Sequence, residues 1–181
     1  MEKRRVVITG MGTVNPVGNS VLESWAAVKA GRCGIGSITR YDTADMKVKL
    51  AGEVKGLDLD ALLGRREIKK MDRFTQLALA AAGECVAGSG LDRDAERPDR
   101  CGVLVSSGIG GFETVGEAHR RGTERGWDSV SPFMIPMIIS NMAAGHMAIR
   151  YGFTGMCSCV VTACAGGTNA VGDAFRHIRV G

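Results

Sequence analysis

The residues best equipped for covalent chemistry stand near the carboxyl end, in Val160-Val161-Thr162-Ala163-Cys164-Ala165-Gly166-Gly167. A β-branched run passing straight into very small residues predicts a strand over 158–162 that turns sharply into a helix beginning close to Cys164, the shape of a nucleophile elbow. A thiol at a helix N-terminus sits at the positive end of the peptide dipoles, which favours the thiolate, and the thiolate is the attacking species. The unpaired N–H groups of a first helical turn can also hold the oxyanion of a tetrahedral intermediate, at about 3 kcal/mol per donor. Gly166 and Gly167 leave room for a substrate to come close. Taken alone, these residue types suit equally a small thiol packed at a tight turn.

The remaining reactive side chains fit chemistry less well. Cys157 and Cys159 form a single Cys-x-Cys pair without the second pair that a closed zinc site needs, so no metal is expected. Gly10-x-Gly12 lacks a third glycine at the right offset and an acid about 20 residues on, which makes it a weak dinucleotide fingerprint, and no cofactor is expected. His177 lies thirteen positions past Cys164 on what should be one helix, roughly 20 Å away at the helical rise, too far to act as its base. His146 sits in a helical motif and His119 among charged residues, and both read as structural.

Holding an elbow in place takes strands alternating with helices, and the chain supplies that pattern. Residues 5–9 read as a buried strand that ends at Gly10, Gly12 and Pro16. Ser20 is a natural N-cap for a helix carrying Val21, Leu22, Trp25, Ala26 and Val28 as far as Gly31. Residues 33–64 are mixed, with a strand at 50–54 and a short helix at 59–63, an excursion from the core. Asp72 opens a core-facing helix with Phe74, Leu77, Ala78, Ala81, Ala82 and Cys85 at helical spacing. Just ahead of it Arg66, Lys69, Lys70 and Arg73 fall at i, i+3, i+4 and i+7, one basic stripe if that segment is helical; a solvated helix face would look the same. Residues 101–105 read as a strand entering a glycine-rich close-approach turn at 106–111, with helices at 112–125 and 140–151. Such alternation implies an α/β fold, a mixed sheet with helices on both faces. The last helix runs to Gly181 without returning to a strand, so the chain is expected to be part of a larger body.

Bulk properties narrow the classes of function. With 45% hydrophobic and 23% charged residues, the chain has enough apolar material for a folded core. Aromatic residues make up only 5% against 26 glycines, which predicts close backbone packing on small residues. A net charge of +4, with no basic run interleaved with aromatics, excludes nucleic acid as a partner. The apolar run at residues 6–8 is too brief for a signal core or a membrane span, so no membrane partner is expected and the cytoplasm is the expected compartment. In a reducing compartment the six cysteines are read as thiols.

Thr162-Ala163-Cys164-Ala165-Gly166-Gly167 resembles the active-site signature of the β-ketoacyl synthases, within the thiolase superfamily. Similar to the same family, and in the same order, are Arg4-Arg5-Val6-Val7-Ile8-Thr9-Gly10-Met11-Gly12, Pro16-Val17-Gly18, Lys70-Met71-Asp72-Arg73-Phe74, Ser107-Gly108-Ile109-Gly110-Gly111 and Asn141-Met142-Ala143-Ala144-Gly145-His146. The chain looks most like the bacterial type II elongating enzymes of the second kind. It departs from them at Gly155-Met156, where the family usually has Gly-Pro, and at Gly166-Gly167, where Ser-Gly often follows the nucleophile pair.

The resemblance implies a thiolase-like αβαβα architecture of which residues 1–181 are the amino-terminal half. It also implies a decarboxylative condensation of an acyl group on Cys164 with malonyl-acyl-carrier protein in fatty acid elongation. It assigns Cys164 as the catalytic nucleophile, Ile109, Met134 and Ala163 to the acyl pocket, and Arg66, Lys69 and Lys70 to docking of acidic acyl carrier protein. A homodimer is the family's usual assembly. The two histidines and the lysine that stabilise the developing enolate belong to the carboxyl-terminal half, a second expected partner, so the chain alone is expected to be incomplete as a condensing enzyme. Two other readings stay open: the corresponding half of a polyketide ketosynthase or thiolase, and a non-catalytic truncated module.

Overall fold

A computed structural model describes residues 4–92 and 97–181. The first helix, α1 (Val21–Lys29), starts where its cap chemistry dictates: the Ser20 hydroxyl accepts from the Glu23 amide, and the Glu23 carboxylate reaches back to the Asn19 amide at 2.8 Å. Two short strands follow, β1 (Ile35–Ser37) and β2 (Leu50–Gly52), paired antiparallel with Ile35 opposite Gly52. The Glu53 carboxylate closes this ribbon by accepting from the Thr39 amide and hydroxyl and from the Arg40 amide. Those bonds, the Thr39 hydroxyl's first, hold its carboxyl below the usual range.

Helices α2 (Leu59–Leu63) and α3 (Arg65–Ile68) are separated by Gly64. The longest helix, α4 (Arg73–Gly88), is capped by Asp72, whose Oδ1 accepts from the Phe74 amide. Strand β3 (Val103–Ser106) leads through the glycine-rich turn into α5 (Phe112–Arg125), then α6 (Met134–Ile138), α7 (Met142–Tyr151) and β4 (Cys157–Val160). β4 returns parallel to β3 with Val103 opposite Cys157 and Ser106 opposite Val160, the crossover that a parallel pair requires. The last helix, α8 (Gly166–Val180), packs on β3, and α7 packs on both strands and on α4.

Small residues make the tight contacts, as the composition implies: Ala143 and Ala144 of α7 are buried, and the largest buried cluster joins Leu63, Met71 and Leu79. Gly10 and Gly12 press the entering segment against α4, where a Cβ on either would overlap a main-chain oxygen, of Cys85 or of Ala81. The Gly10-x-Gly12 spacing is thus explained by packing.

Three expectations need correction. Residues 5–9 form no strand: Val7 and Ile8 are 60% and 82% exposed, and the only main-chain bond from residues 4–9, among the described residues, runs from the Arg4 amide to the Arg179 carbonyl. A β-branched run becomes a strand only beside a ladder partner, and this one has none. Among the described residues the mixed sheet is divided into two separate pairs, one parallel and one antiparallel. The basic stripe is broken, because α3 stops at Ile68 and Asp72 restarts the chain in extended backbone at ψ 159, so Arg73 belongs to a different helix from Arg66. The α/β class and the remaining major elements stand as read.

The molecule's accessible surface is 12327 Å², nearly one and a half times the roughly 8,400 Å² that a compact monomer of this mass exposes. Large apolar side chains contribute, among them Leu22, Trp25, Ile35, Phe112, Ile149 and Val171. Among the described residues no helix is long and apolar enough to cross a membrane.

Candidate active site

Cys164 stands where β4 bends into α8, in a single 3-10 turn over Ala163–Ala165. The bend is sharp enough to force Ala163 to φ 47, the one non-glycine residue with positive φ among those described. Thr162 precedes it at φ −133 and ψ 40, and its carbonyl accepts from the Ala165 amide at 3.1 Å. Cys164 is an exposed residue and forms no disulfide. Two residues on, α8 begins at Gly166 with no side-chain cap, the Gly166 amide donating back to the Ala163 carbonyl so that the 3-10 turn runs directly into the helix. The elbow is seated on the neighbouring strand: Gly166 lies so close to Ser106, the last residue of β3, that a Cβ would overlap the serine Oγ. Any other residue type there would require the Ser106 side chain or α8 itself to shift.

The parallel register brings a second predicted residue to the same end of the fold. Ser106 pairs with Val160, so the loop leaving β3 and the elbow leaving β4 emerge side by side. Ile109 rides on the β3 loop and is 72% exposed. The loop is pinned at both ends, by the Gly110 amide donating to Ser107 Oγ at 3.0 Å and by the Gly111 amide donating to the Ile138 carbonyl at 2.9 Å. Gly110 takes φ 63, and a Cβ on it would overlap that carbonyl, which is the close approach the glycines predict.

Met134 lies one turn before Ile138 on α6 and is half-buried. It lines a cleft of about 680 Å³ with Arg40, Met71, Arg73, Glu113 and Met137. Neither Cys164 nor Ile109 lines that cleft; the Ile109 loop meets α6 at its far end, where Gly110 and Gly111 press on Met137 and Ile138. Across the cleft mouth Arg40 clasps both carboxylate oxygens of Glu113, at 2.8 and 2.9 Å. Burial and the neighbouring Arg40 charge hold Arg73 below the ordinary guanidinium range. Sequence reasoning missed this cleft, whose Arg40 and Glu113 stand 73 positions apart with no motif between them.

Arg66, Lys69 and Lys70 are all exposed, on α3 and its exit. Lys70 is tied to Glu67 at 2.8 Å, and that hydrogen bond keeps the Glu67 carboxyl below its usual range. Arg66 and Lys69 have no ion-pair partner among the described residues. His177 is exposed in the last turn of α8, a helix length from Cys164. His119 packs edge-on against Trp127 on the surface, and His146 is half-buried on α7 near Glu67 and Lys70. No three His, Cys, Asp or Glu side chains among the described residues are grouped as a cation site would need.

The arrangement presents one cysteine at the head of a helix, on a sharp strand-to-helix turn. Residues 3–181 match the family model for the β-ketoacyl synthase N-terminal domain. The chain is 43% identical over 181 residues to 3-oxoacyl-[acyl-carrier-protein] synthase 2 of Synechocystis sp., covering all of this chain and 44% of that protein. It is 44% identical over 180 residues to the enzyme of the same name in Staphylococcus aureus (strain COL), covering 99% of this chain and 44% of that protein. The chain therefore spans less than half the length of these relatives. Among solved structures it is similar to the ishigamide ketosynthase/chain length factor, with a TM-score of 0.86 and 27% identity over 98% of this chain and 45% of that one. It is also similar to a β-ketoacyl synthase from Burkholderia phymatum STM815, with a TM-score of 0.77 and 27% identity over 98% and 44%. With the elbow, the parallel pair beneath it and the family model agreeing over nearly every residue, the chain belongs to the β-ketoacyl synthase family, as an amino-terminal domain of the thiolase-like fold.

Proposed function

We propose that this chain is the acyl-accepting half of a 3-oxoacyl-acyl-carrier-protein synthase, and that residues 1–181 form its amino-terminal half domain. The observation that carries the reading is Cys164, an exposed free cysteine on a strained turn at the head of α8. The Cys164 thiolate attacks the carbonyl carbon of an acyl-carrier-protein thioester, forming a tetrahedral oxyanion beside the first-turn amides. Its collapse breaks the bond to the carrier sulfur, which leaves as thiolate, and the acyl group stays on Cys164. In the second half-reaction malonyl-carrier protein loses carbon dioxide, and the freed carbon nucleophile attacks the acyl carbonyl and expels Cys164 as thiolate. Stabilising that developing enolate is work for histidines and a lysine of the carboxyl-terminal half, the partner this reading requires.

Ile109, at the same end of the parallel pair as Cys164, limits the acyl chain, with Ala163 at the pocket's inner wall and Met134 behind the loop. Arg66 and Lys69, unpaired and exposed, with Lys70 beside them, meet the acidic carrier protein. We assign the chain to the cytoplasm and to a homodimer on family grounds. Fatty acid elongation is favoured over a polyketide role by identity, 43% and 44% to the fatty acid enzymes against 27% to the ishigamide ketosynthase.

Incubation with acyl-carrier protein, alone and together with the carboxyl-terminal half of the Staphylococcus aureus enzyme, tests this. Intact mass should show a gain equal to one acyl group, and Cys164→Ala should abolish it. A gain that survives the substitution, or none under either condition, overturns the proposal.

A further inference from the structure

The helix that follows the Ile109 loop is capped from outside itself. Its N-cap residue, Gly111, has no side chain with which to cap, and none would fit: a Cβ there would overlap the Met137 carbonyl oxygen and lie 3.0 Å from Asp72 Cβ. Asp72 supplies what is missing. Its Oδ2 accepts from the Thr114 amide at 2.9 Å and the Thr114 hydroxyl at 2.7 Å, and Thr114 is the third residue of α5, where a cap acceptor normally bonds. The other oxygen, Oδ1, caps α4 through the Phe74 amide at 3.2 Å. One carboxylate, in a residue only 5% exposed, therefore caps two helices whose starting points are 39 positions apart.

These two helix starts adjoin the two surfaces that handle substrate in the reading above, on which this inference rests. Upstream of Asp72 the basic segment is fastened to α4 by Gln76 Nε2, which donates to the carbonyls of Ile68 and Met71 at 3.0 and 2.9 Å. Downstream, α5 begins directly after the loop that presents Ile109, and the Gly111 amide fixes that loop to Ile138. A displacement of α5 at its first turn is thereby a displacement of Ile109. We propose that Asp72 is a positioning residue that sets acyl-chain-length selectivity by holding the Ile109 loop through Thr114.

Asp72→Asn removes one acceptor and presents an amide donor in its place, so only one of the two helices keeps its cap. Thr114→Val removes the hydroxyl donor alone and is the milder test should the first variant fold poorly. In the complete synthase, kcat/KM is measured for a short and a long acyl-carrier protein, with acylation of Cys164 by the short one followed in parallel. The long-to-short ratio should change by roughly tenfold in Asp72→Asn, the scale of one charge-assisted hydrogen bond, and by less, in the same direction, in Thr114→Val. Asp72 as mere structural support would lower the melting temperature and both kcat/KM values together, with the ratio unmoved. That result overturns the inference while leaving the proposed function intact. Failure of the unsubstituted enzyme to acylate Cys164 overturns both.

Discussion

At the scale of single residues, the elbow's tension sits one position ahead of Cys164. Ala163 occupies the left-handed region at φ 47, where a β-branched side chain fits badly. Ala163→Val should cost about 2 kcal/mol in a urea melt, while Ala163→Gly should move stability by less than about 1 kcal/mol, since relief of strain is offset by a freer unfolded chain. His146 makes a second residue-scale prediction. Burial is the main force holding its pKa below the ordinary 6.5, with the Lys70 charge adding and the Glu67 charge opposing. The folded state thus prefers the neutral ring, and His146 contributes its full stability above pH 6.5. That contribution is lost as pH falls through the folded pKa, because the unfolded chain takes up the proton first. Urea melts from pH 8 down to pH 5 should show this decline, and His146→Gln should flatten it. An unchanged slope would mean that burial does not depress this group.

At the scale of elements, the turn between β3 and α5 contains glycines of unlike necessity. Gly110 has positive φ and no room, so Gly110→Ala should cost about 3 kcal/mol, whereas Gly108 has nothing within 4 Å, and Gly108→Ala should cost under about 1 kcal/mol. Equal losses at the two positions, by thermal melting, would refute the claim that Ile138 sets the turn's geometry. The same turn shows what a sequence displays and what it conceals. Its glycine density announced close approach, just as Ser20 and Asp72 announced the starts of α1 and α4, because caps and turns are written in local residue types. What the loop approaches was not written locally: Ile138 belongs to α6, a five-residue helix with a proline inside it and too short to show a period. β1 escaped notice for the same reason, three residues with a glycine at their centre. Residues 5–9 erred the other way, since their β-branched pattern states a preference that only a neighbouring strand can satisfy. The turn at Cys164 was legible because a sharp strand-to-helix bend demands small residues in sequence. The double cap by Asp72 was half legible: its service to α4 is local, and its service to α5 crosses 42 positions.

At the scale of the whole molecule, the surface is too large for the mass. Many large apolar side chains are exposed, Leu22, Ile109, Phe112 and Ile149 among them, and the buried cluster among the described residues joins only Leu63, Met71 and Leu79. Large contiguous apolar surfaces on folded chains are contact surfaces or a route to aggregation. The chain alone should therefore self-associate at micromolar concentration and enhance the fluorescence of an apolar dye, and adding the carboxyl-terminal half should suppress both. Light scattering that shows a monodisperse monomer without dye binding would contradict this. An uncovered surface of this size also changes what a melting point means here. Each tenfold rise in the free concentration of whatever shields it, once above the dissociation constant, adds about 1.4 kcal/mol to the folded state. Robustness to heat then becomes a property of the mixture, set by stoichiometry as much as by the polypeptide.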